Sequence, residues 1–292
     1  MFTGTYTALV TPFRNGRIDE DAFALLIEDQ IAGGVDGIVA VGTTGESPTV
    51  DKDEHIYVVE LAVRFANKRV TVIAGTGSNA TSEAVHLSER AVEKGADALL
   101  LVNPYYNKPS QEGIFRHYKA IADSVPSPVM LYSIPGRTGG EIGVDTVVRL
   151  ANEVPNIVSL KEAGGSVDRV SQLCAVVPES FTILSGDDSL TLPFLSVGAT
   201  GVVSVASNII PREVSDLVRA FLKGDTLTAR ALHRKYLSLF KDLFIEPNPV
   251  PAKSILSWLG KMSAEVRLPL CEMSAANEAK IRQTAVASGL LS

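Results

Sequence analysis

Cysteine is scarce in this chain. The 292 residues hold two, Cys174 and Cys271, far apart and in no paired spacing. Neither a disulfide framework nor a thiolate metal site fits that pattern, and both read as reduced, mostly buried thiols of a cytoplasmic protein. The four histidines, His55, His86, His117 and His233, are scattered, with no ligand partner at metal spacing, which disfavours metal-dependent chemistry. A basic tract is also missing. The net charge is -6 with both signs interspersed, so nucleic acid and anionic membrane surfaces are not expected partners. No apolar run is long enough to span a bilayer. The opening residues Met1-Phe2-Thr3-Gly4 lack the basic and apolar regions of a signal peptide. No internal repeat or low-complexity segment stands out.

What the chain does have is apolar, β-branched runs in a regular rhythm. They are Tyr6–Val10, Gly37–Val41, Val70–Ala74, Ala98–Val102, Val129–Tyr132, Ile157–Lys161, Phe181–Leu184 and Val202–Val205. Each lacks a polar alternate face, as parallel strands covered on both sides do. Helical patterns fill the intervals. Asp19 to Ile31 is amphipathic and stops at Gly33-Gly34; Thr81-Ser82-Glu83 and Ser110-Gln111-Glu112 read as helix starts. Asp187-Asp188 offers a cap after the seventh run, and Pro211 suits a first helical turn. Eight such repeats predict an α/β chain folded as a (β/α)8 TIM barrel over residues 1–224. A doubly wound sheet would need a glycine-rich fingerprint after the first strand, where the chain reads Thr11-Pro12-Phe13-Arg14-Asn15-Gly16. Beyond residue 224 the strands stop. Asp225 to Phe244 and Ala275 to Ser288 read as helices joined through the proline-rich Glu246-Pro247-Asn248-Pro249. Residues 225–292 are thus expected to form a small C-terminal helical extension.

Lys161 is the residue that points to chemistry. It closes the run Ile157-Val158-Ser159-Leu160, where an ammonium group is costly unless paired, deprotonated or used. A desolvated lysine loses its proton easily, and the neutral amine attacks carbonyl carbons to form a Schiff base. The plain alternative is an ion pair at a strand end, with Glu162. Lys52, Lys94, Lys119, Lys223, Lys235 and Lys280 sit in helical patterns and Lys68 precedes a strand, so Lys161 alone finishes an apolar one.

Barrel enzymes place their chemistry at the C-terminal strand ends. The second run leads into Gly42-Thr43-Thr44-Gly45-Glu46-Ser47, whose backbone could hold a small carboxylate, or which could simply turn the chain. The fourth leads into Asn103-Pro104-Tyr105-Tyr106, and the fifth into Tyr132-Ser133-Ile134-Pro135-Gly136-Arg137. Tyr132 could carry protons for a substrate bound at Lys161, and Arg137 could clamp a carboxylate. Packing and a surface position are their plain alternatives. After the seventh run, Ser185-Gly186-Asp187-Asp188 would repel a phosphate.

Six ordered motifs now stand out: GTTGE at 42–46, NPYYNKPSQEG at 103–113, LYSIPGRTG at 131–139, LKEA at 160–163, SGDD at 185–188 and EPNPVPAK at 246–253. Together they resemble the dihydrodipicolinate synthase family of Schiff-base pyruvate aldolases, over essentially the whole chain. The resemblance implies condensation of pyruvate with L-aspartate 4-semialdehyde through an imine on Lys161, on the diaminopimelate route to lysine, with no external cofactor. It implies proton transfer by Tyr132, linked through Thr43 to Tyr106 of an adjacent subunit. It places Thr44 on the pyruvate carboxylate and Arg137 on the semialdehyde carboxylate, with Gly186 and Val203 lining the pocket. It also implies a homotetramer built as a dimer of dimers. A feedback site for L-lysine would match Ser47, Pro48, Lys52, His55, Asn79, Glu83 and Tyr105. Lys52 and Pro48 depart from the residues that sensitive members often carry, a histidine and a smaller residue.

Overall fold

The computed structural model describes residues 2–292. Eight parallel strands close into a barrel: β1 Gly4–Ala8, β2 Gly37–Ala40, β3 Thr71–Gly75, β4 Ala98–Val102, β5 Val129–Ser133, β6 Ile157–Glu162, β7 Thr182–Ser185 and β8 Gly201–Ser204. Each pairs with its sequence neighbours, and β1 pairs with β8 to complete the ring. Glycine makes that closure possible, because a Cβ on Gly201 would sit 2.1 Å from the Gly4 carbonyl oxygen.

The strands lie under a layer of helices: α1 Glu20–Gly33, α2 Lys52–Ala66, α3 Thr81–Glu93, α4 Gln111–Asp123, α5 Val144–Glu153, α6 Val167–Val176, α7 Thr191–Ser196 and α8 Pro211–Leu222. Asp19, Asp51 and Ser110 cap α1, α2 and α4 by accepting from the first-turn amides. As expected, α3 starts at Thr81. Its cap is Ala80, without a side-chain bond. The Thr81 hydroxyl instead meets His117 Nδ1 at 2.9 Å, tying α3 to α4.

Alternation along each strand divides the apolar side chains between two clusters. Tyr6, Val39, Ile73, Leu100, Met130, Tyr132, Leu184 and Val203 fill the barrel interior. Ile38, Leu99, Leu101, Leu131, Leu160 and Val202 face the helices. One irregularity interrupts the pattern. Between β5 and β6 the pairing steps from Val129 with Ile157 to Met130 with Ser159, so β6 carries one extra residue. Beyond it, Tyr132 stands directly beside Lys161.

Three helices follow the barrel, α9 Thr226–Asp242, α10 Val250–Trp258 and α11 Ala275–Ala287. The middle one was not foreseen. The prolines that read as a connection occupy the N-cap, Pro249, and the second helical position, Pro251, where a missing N–H breaks no helical bond. Cys271 is exposed, against the expectation of a mostly buried thiol, and Cys174 is half-buried.

Candidate active site

Lys161 lies at the C-terminal end of β6, facing inward, with 5% of its surface exposed. Burial is the main force on its ammonium group and pulls its pKa from 10.5 to about 7, with Asp188 opposing and Arg137 adding to the fall. The strand-end ion pair with Glu162 does not form. Glu162 is fully buried and accepts from Arg169 Nε at 2.9 Å and from the Gly164 amide at 2.6 Å. Lys161 is therefore left without a carboxylate in contact, its Nζ 4.2 Å from the centre of the Tyr132 ring.

Tyr132 comes from the adjacent strand and is equally enclosed, at 4% exposure. Burial pushes its phenol up, while the Thr43 hydroxyl and the Arg137 charge pull it back. Its hydroxyl is thus a neutral proton carrier at neutral pH, next to an amine that titrates in the same range. The third wall is Gly186. Its amide donates to the Glu162 carbonyl at 2.7 Å, and a Cβ there would stand 3.1 Å from Lys161 Cε and 2.7 Å from Ala163 Cβ.

Asp188 is a residue that sequence reasoning undervalued, reading it only as a helix cap or a phosphate repeller. The cap is Asp187, which accepts from the Ser189 amide at 2.8 Å. Asp188 is buried and accepts from the Ser204 hydroxyl and from the Val205 and Ala206 amides at 3.0 Å each. That network holds a carboxylate whose charge favours the ammonium form of Lys161, although burial raises its own pKa. Two acids after an apolar strand were the available signal.

The turn after β2 folds tightly on itself, with Gly45 and Ser47 amides both donating to the Gly42 carbonyl, at 3.0 and 3.3 Å. Among the described residues the Thr43 and Thr44 amides find no acceptor, which leaves two donors for a bound anion. Thr44 is buried and its hydroxyl accepts from Asn248 Nδ2 at 3.0 Å. Val203 is buried in the barrel interior, in register with Tyr6.

A cavity of about 530 Å³ lies next to the turn after β2. Thr43, Ile134, Arg137 and Thr138 line it together with Ser47, Pro48, Lys52, His55, Glu83 and Tyr105. Of the substrate candidates, Thr43 and Arg137 line this cavity with the effector candidates; Lys161, Tyr132, Thr44, Gly186 and Val203 do not. His55 Nε2 donates to the Gly75 carbonyl at 2.8 Å, and burial lowers its pKa. Glu83 accepts from Ser78 at 2.6 Å and pairs with Lys52 at 3.0 Å; both hold its carboxyl below the usual range. Asn79 does not line the cavity; its amide donates to the Tyr105 carbonyl at 3.1 Å. Tyr106 is not brought into its own chain's site. It is 89% exposed, on a left-handed backbone with φ 72°.

The dihydrodipicolinate synthetase family model matches residues 1–288. The 4-hydroxy-tetrahydrodipicolinate synthase of Geobacter sulfurreducens is 53% identical over 281 residues, 96% of this chain and 97% of that one. The solved structure of the same enzyme from Methylacidiphilum fumariolicum SolV matches with a TM-score of 0.98 and 55% identity, covering 99% of this chain and 96% of that one. A dihydrodipicolinate synthase from Cyanidioschyzon merolae, solved with lysine bound, matches at 0.96 and 42% identity, with 99% of each chain covered. With the family model spanning the barrel and all three C-terminal helices, and relatives above half identity along nearly their full length, this chain belongs to the dihydrodipicolinate synthetase family.

Proposed function

We propose that this chain condenses pyruvate with L-aspartate 4-semialdehyde to give 4-hydroxy-tetrahydrodipicolinate, in the diaminopimelate route to lysine. The observation that carries the reading is the buried Lys161 amine, with no carboxylate in contact and a pKa near 7, in register with Tyr132. The neutral amine attacks the pyruvate keto carbon. Tyr132 relays protons as the carbinolamine forms and loses water to leave the imine. The cationic nitrogen acidifies the pyruvate methyl group, and loss of a proton gives the enamine. Enamine carbon attacks the semialdehyde carbonyl, making the new C–C bond. The substrate amine then displaces Lys161, closing the ring and freeing the enzyme amine. No external cofactor enters, because the imine itself is the electron sink. Thr44 and the neighbouring amides hold the pyruvate carboxylate, Arg137 holds that of the semialdehyde, and Gly186 and Val203 shape the pocket.

The chain works as a homotetramer, a dimer of dimers in which Tyr106 completes the Tyr132–Thr43 relay of a partner. Its outward position on a loop pinned by Asn79 and Asn107 supports this. L-Lysine acts as an effector in the cavity at Ser47, His55, Glu83 and Tyr105, with Asn79 behind them, where its ammonium must compete with Lys52 for Glu83. Two free cysteines suit a reducing, cytoplasmic setting.

The test is coupled turnover of pyruvate with aspartate semialdehyde beside cleavage assays on sialic and keto-deoxy sugar acids. Turnover of the former alone is expected, and Lys161→Ala should abolish borohydride trapping of pyruvate. Sugar-acid cleavage alone would refute the assigned partner substrate. Trapping at another lysine would refute the nucleophile. L-Lysine should inhibit the parent weakly and Lys52→Ala more strongly; indifference of both would refute the effector site.

A further inference from the structure

A second buried lysine takes no part in the chemistry above. Lys253, on α10, has no exposed surface, and its Nζ pairs with Glu46, which is 2% exposed. Burying two charges costs several kcal/mol per ion, and pairing at best offsets it, so apolar residues would stabilise the fold as well. The pair also sits at a strained place. Glu46 has φ 58°, in the left-handed region that non-glycine residues avoid. Such expense at the end of the Gly42–Ser47 turn calls for a reason beyond stability.

The surrounding bonds supply one. The Glu46 carboxylate receives Lys253 on one oxygen and the Arg267 amide, at 3.0 Å, on the other. Lys253 Nζ also donates to the Glu265 carbonyl at 2.9 Å and lies 4.2 Å from the centre of the Phe13 ring. Arg267 forks onto Glu54 at 2.5 and 2.7 Å and reaches the Thr49 carbonyl at 2.9 Å. Just ahead of α10, Asn248 grips the Thr44 hydroxyl. The turn is held at Thr44, Glu46 and Thr49 by one C-terminal segment. Because the Thr44 oxygen accepts from Asn248, its own proton is free to point to the site.

We propose that Glu46, Lys253 and Asn248 are positioning residues for pyruvate, a buried strap that fixes the turn so that the Thr43 and Thr44 amides and the Thr44 hydroxyl converge on its carboxylate. The inference rests on the function proposed above. It assigns the post-barrel helices a part in ground-state binding of the first substrate, distinct from the amine that reacts with it.

The test uses the full chain and three variants. Glu46→Leu/Lys253→Met removes both charges and keeps the volume. Asn248→Ala leaves the ion pair intact. Lys253→Met alone leaves Glu46 unpaired and reports the cost of a broken pair. The double variant should melt within a few degrees of the parent and still trap pyruvate on Lys161 at saturation. Its KM for pyruvate should rise about tenfold, about 1.4 kcal/mol, the order of one hydrogen bond to a charged group. Its KM for the semialdehyde should stay within about twofold, since only a pyruvate contact is lost. A purely structural pair would lower the melting temperature and leave that split unmoved. A folded double variant with an unchanged pyruvate KM overturns the proposal. If the double variant does not fold, Asn248→Ala decides by the same split. A parent that fails to trap pyruvate would instead overturn the function itself.

Discussion

Replacing Lys161 with methionine should make the protein more stable, and more so in acid than in alkali. The stem keeps its volume while the charge is removed. Burial lowers the folded-state pKa from 10.5 to about 7, and the unfolded chain retains the ordinary value. Between these values the unfolded state binds more protons, so the parent's stability rises with pH across that window and carries the full penalty below it. At 1.36 kcal/mol per pKa unit the penalty is on the order of 5 kcal/mol near pH 6 and about 2 kcal/mol near pH 9. Methionine pays none of it. The gain of Lys161→Met over the parent should therefore shrink by about 1.4 kcal/mol for each pH unit as pH rises through this window. Urea unfolding at one protein concentration, near pH 6 and again near pH 9, measures both gains under equal association. A difference independent of pH, or a loss at both, would refute the claim that a desolvated ammonium group is stored at this position.

The same titration governs reactivity: borohydride trapping of pyruvate should fall about tenfold per pH unit well below pH 7, and a limb near pH 10 would contradict it. Gly186→Ala crowds Lys161 Cε and Ala163, so trapping should slow at least about tenfold with the fold intact by circular dichroism; unaltered trapping would mean the amine has room to spare. Arg169→Ala strands the buried Glu162 charge and should cost about 3–5 kcal/mol in unfolding free energy, while Glu162→Gln/Arg169→Met recovers most of it; a loss below about 1 kcal/mol would show Glu162 to be neutral in the fold.

The strands were legible because burial on both faces leaves each as an unbroken apolar run, and Lys161 because it violates that rule at one end. Tyr132 and Arg137 followed from their place after the neighbouring strand. The less legible residues are those whose partners lie far along the chain. Lys253 sits in a segment read as a proline-rich link, and its partner Glu46 is 207 residues away. Arg169 sits in an ordinary amphipathic helix, and nothing local says that it turns inward to Glu162. Asp188 was seen, but its acceptor role depends on Ser204 and the turn after β8. Pairings of this kind are created by barrel closure, and a scan of local pattern does not register them.

The extra residue on β6 has a bearing on how this barrel tolerates change. Val158 packs against the interior and Leu160 against the helices, so inside and outside swap phase between them. Without the swap, unbroken alternation from Val158 would turn Leu160 inward and aim Lys161 at the helical layer. Counted from Ile157, which faces the helices, removing the extra residue instead leaves plain alternation, with Leu160 outward and Lys161 still inward beside Tyr132. The aim of the reactive lysine is thus set by its pairing with Tyr132 beyond the bulge, and the bulge is slack that the strand can lose without turning the amine away.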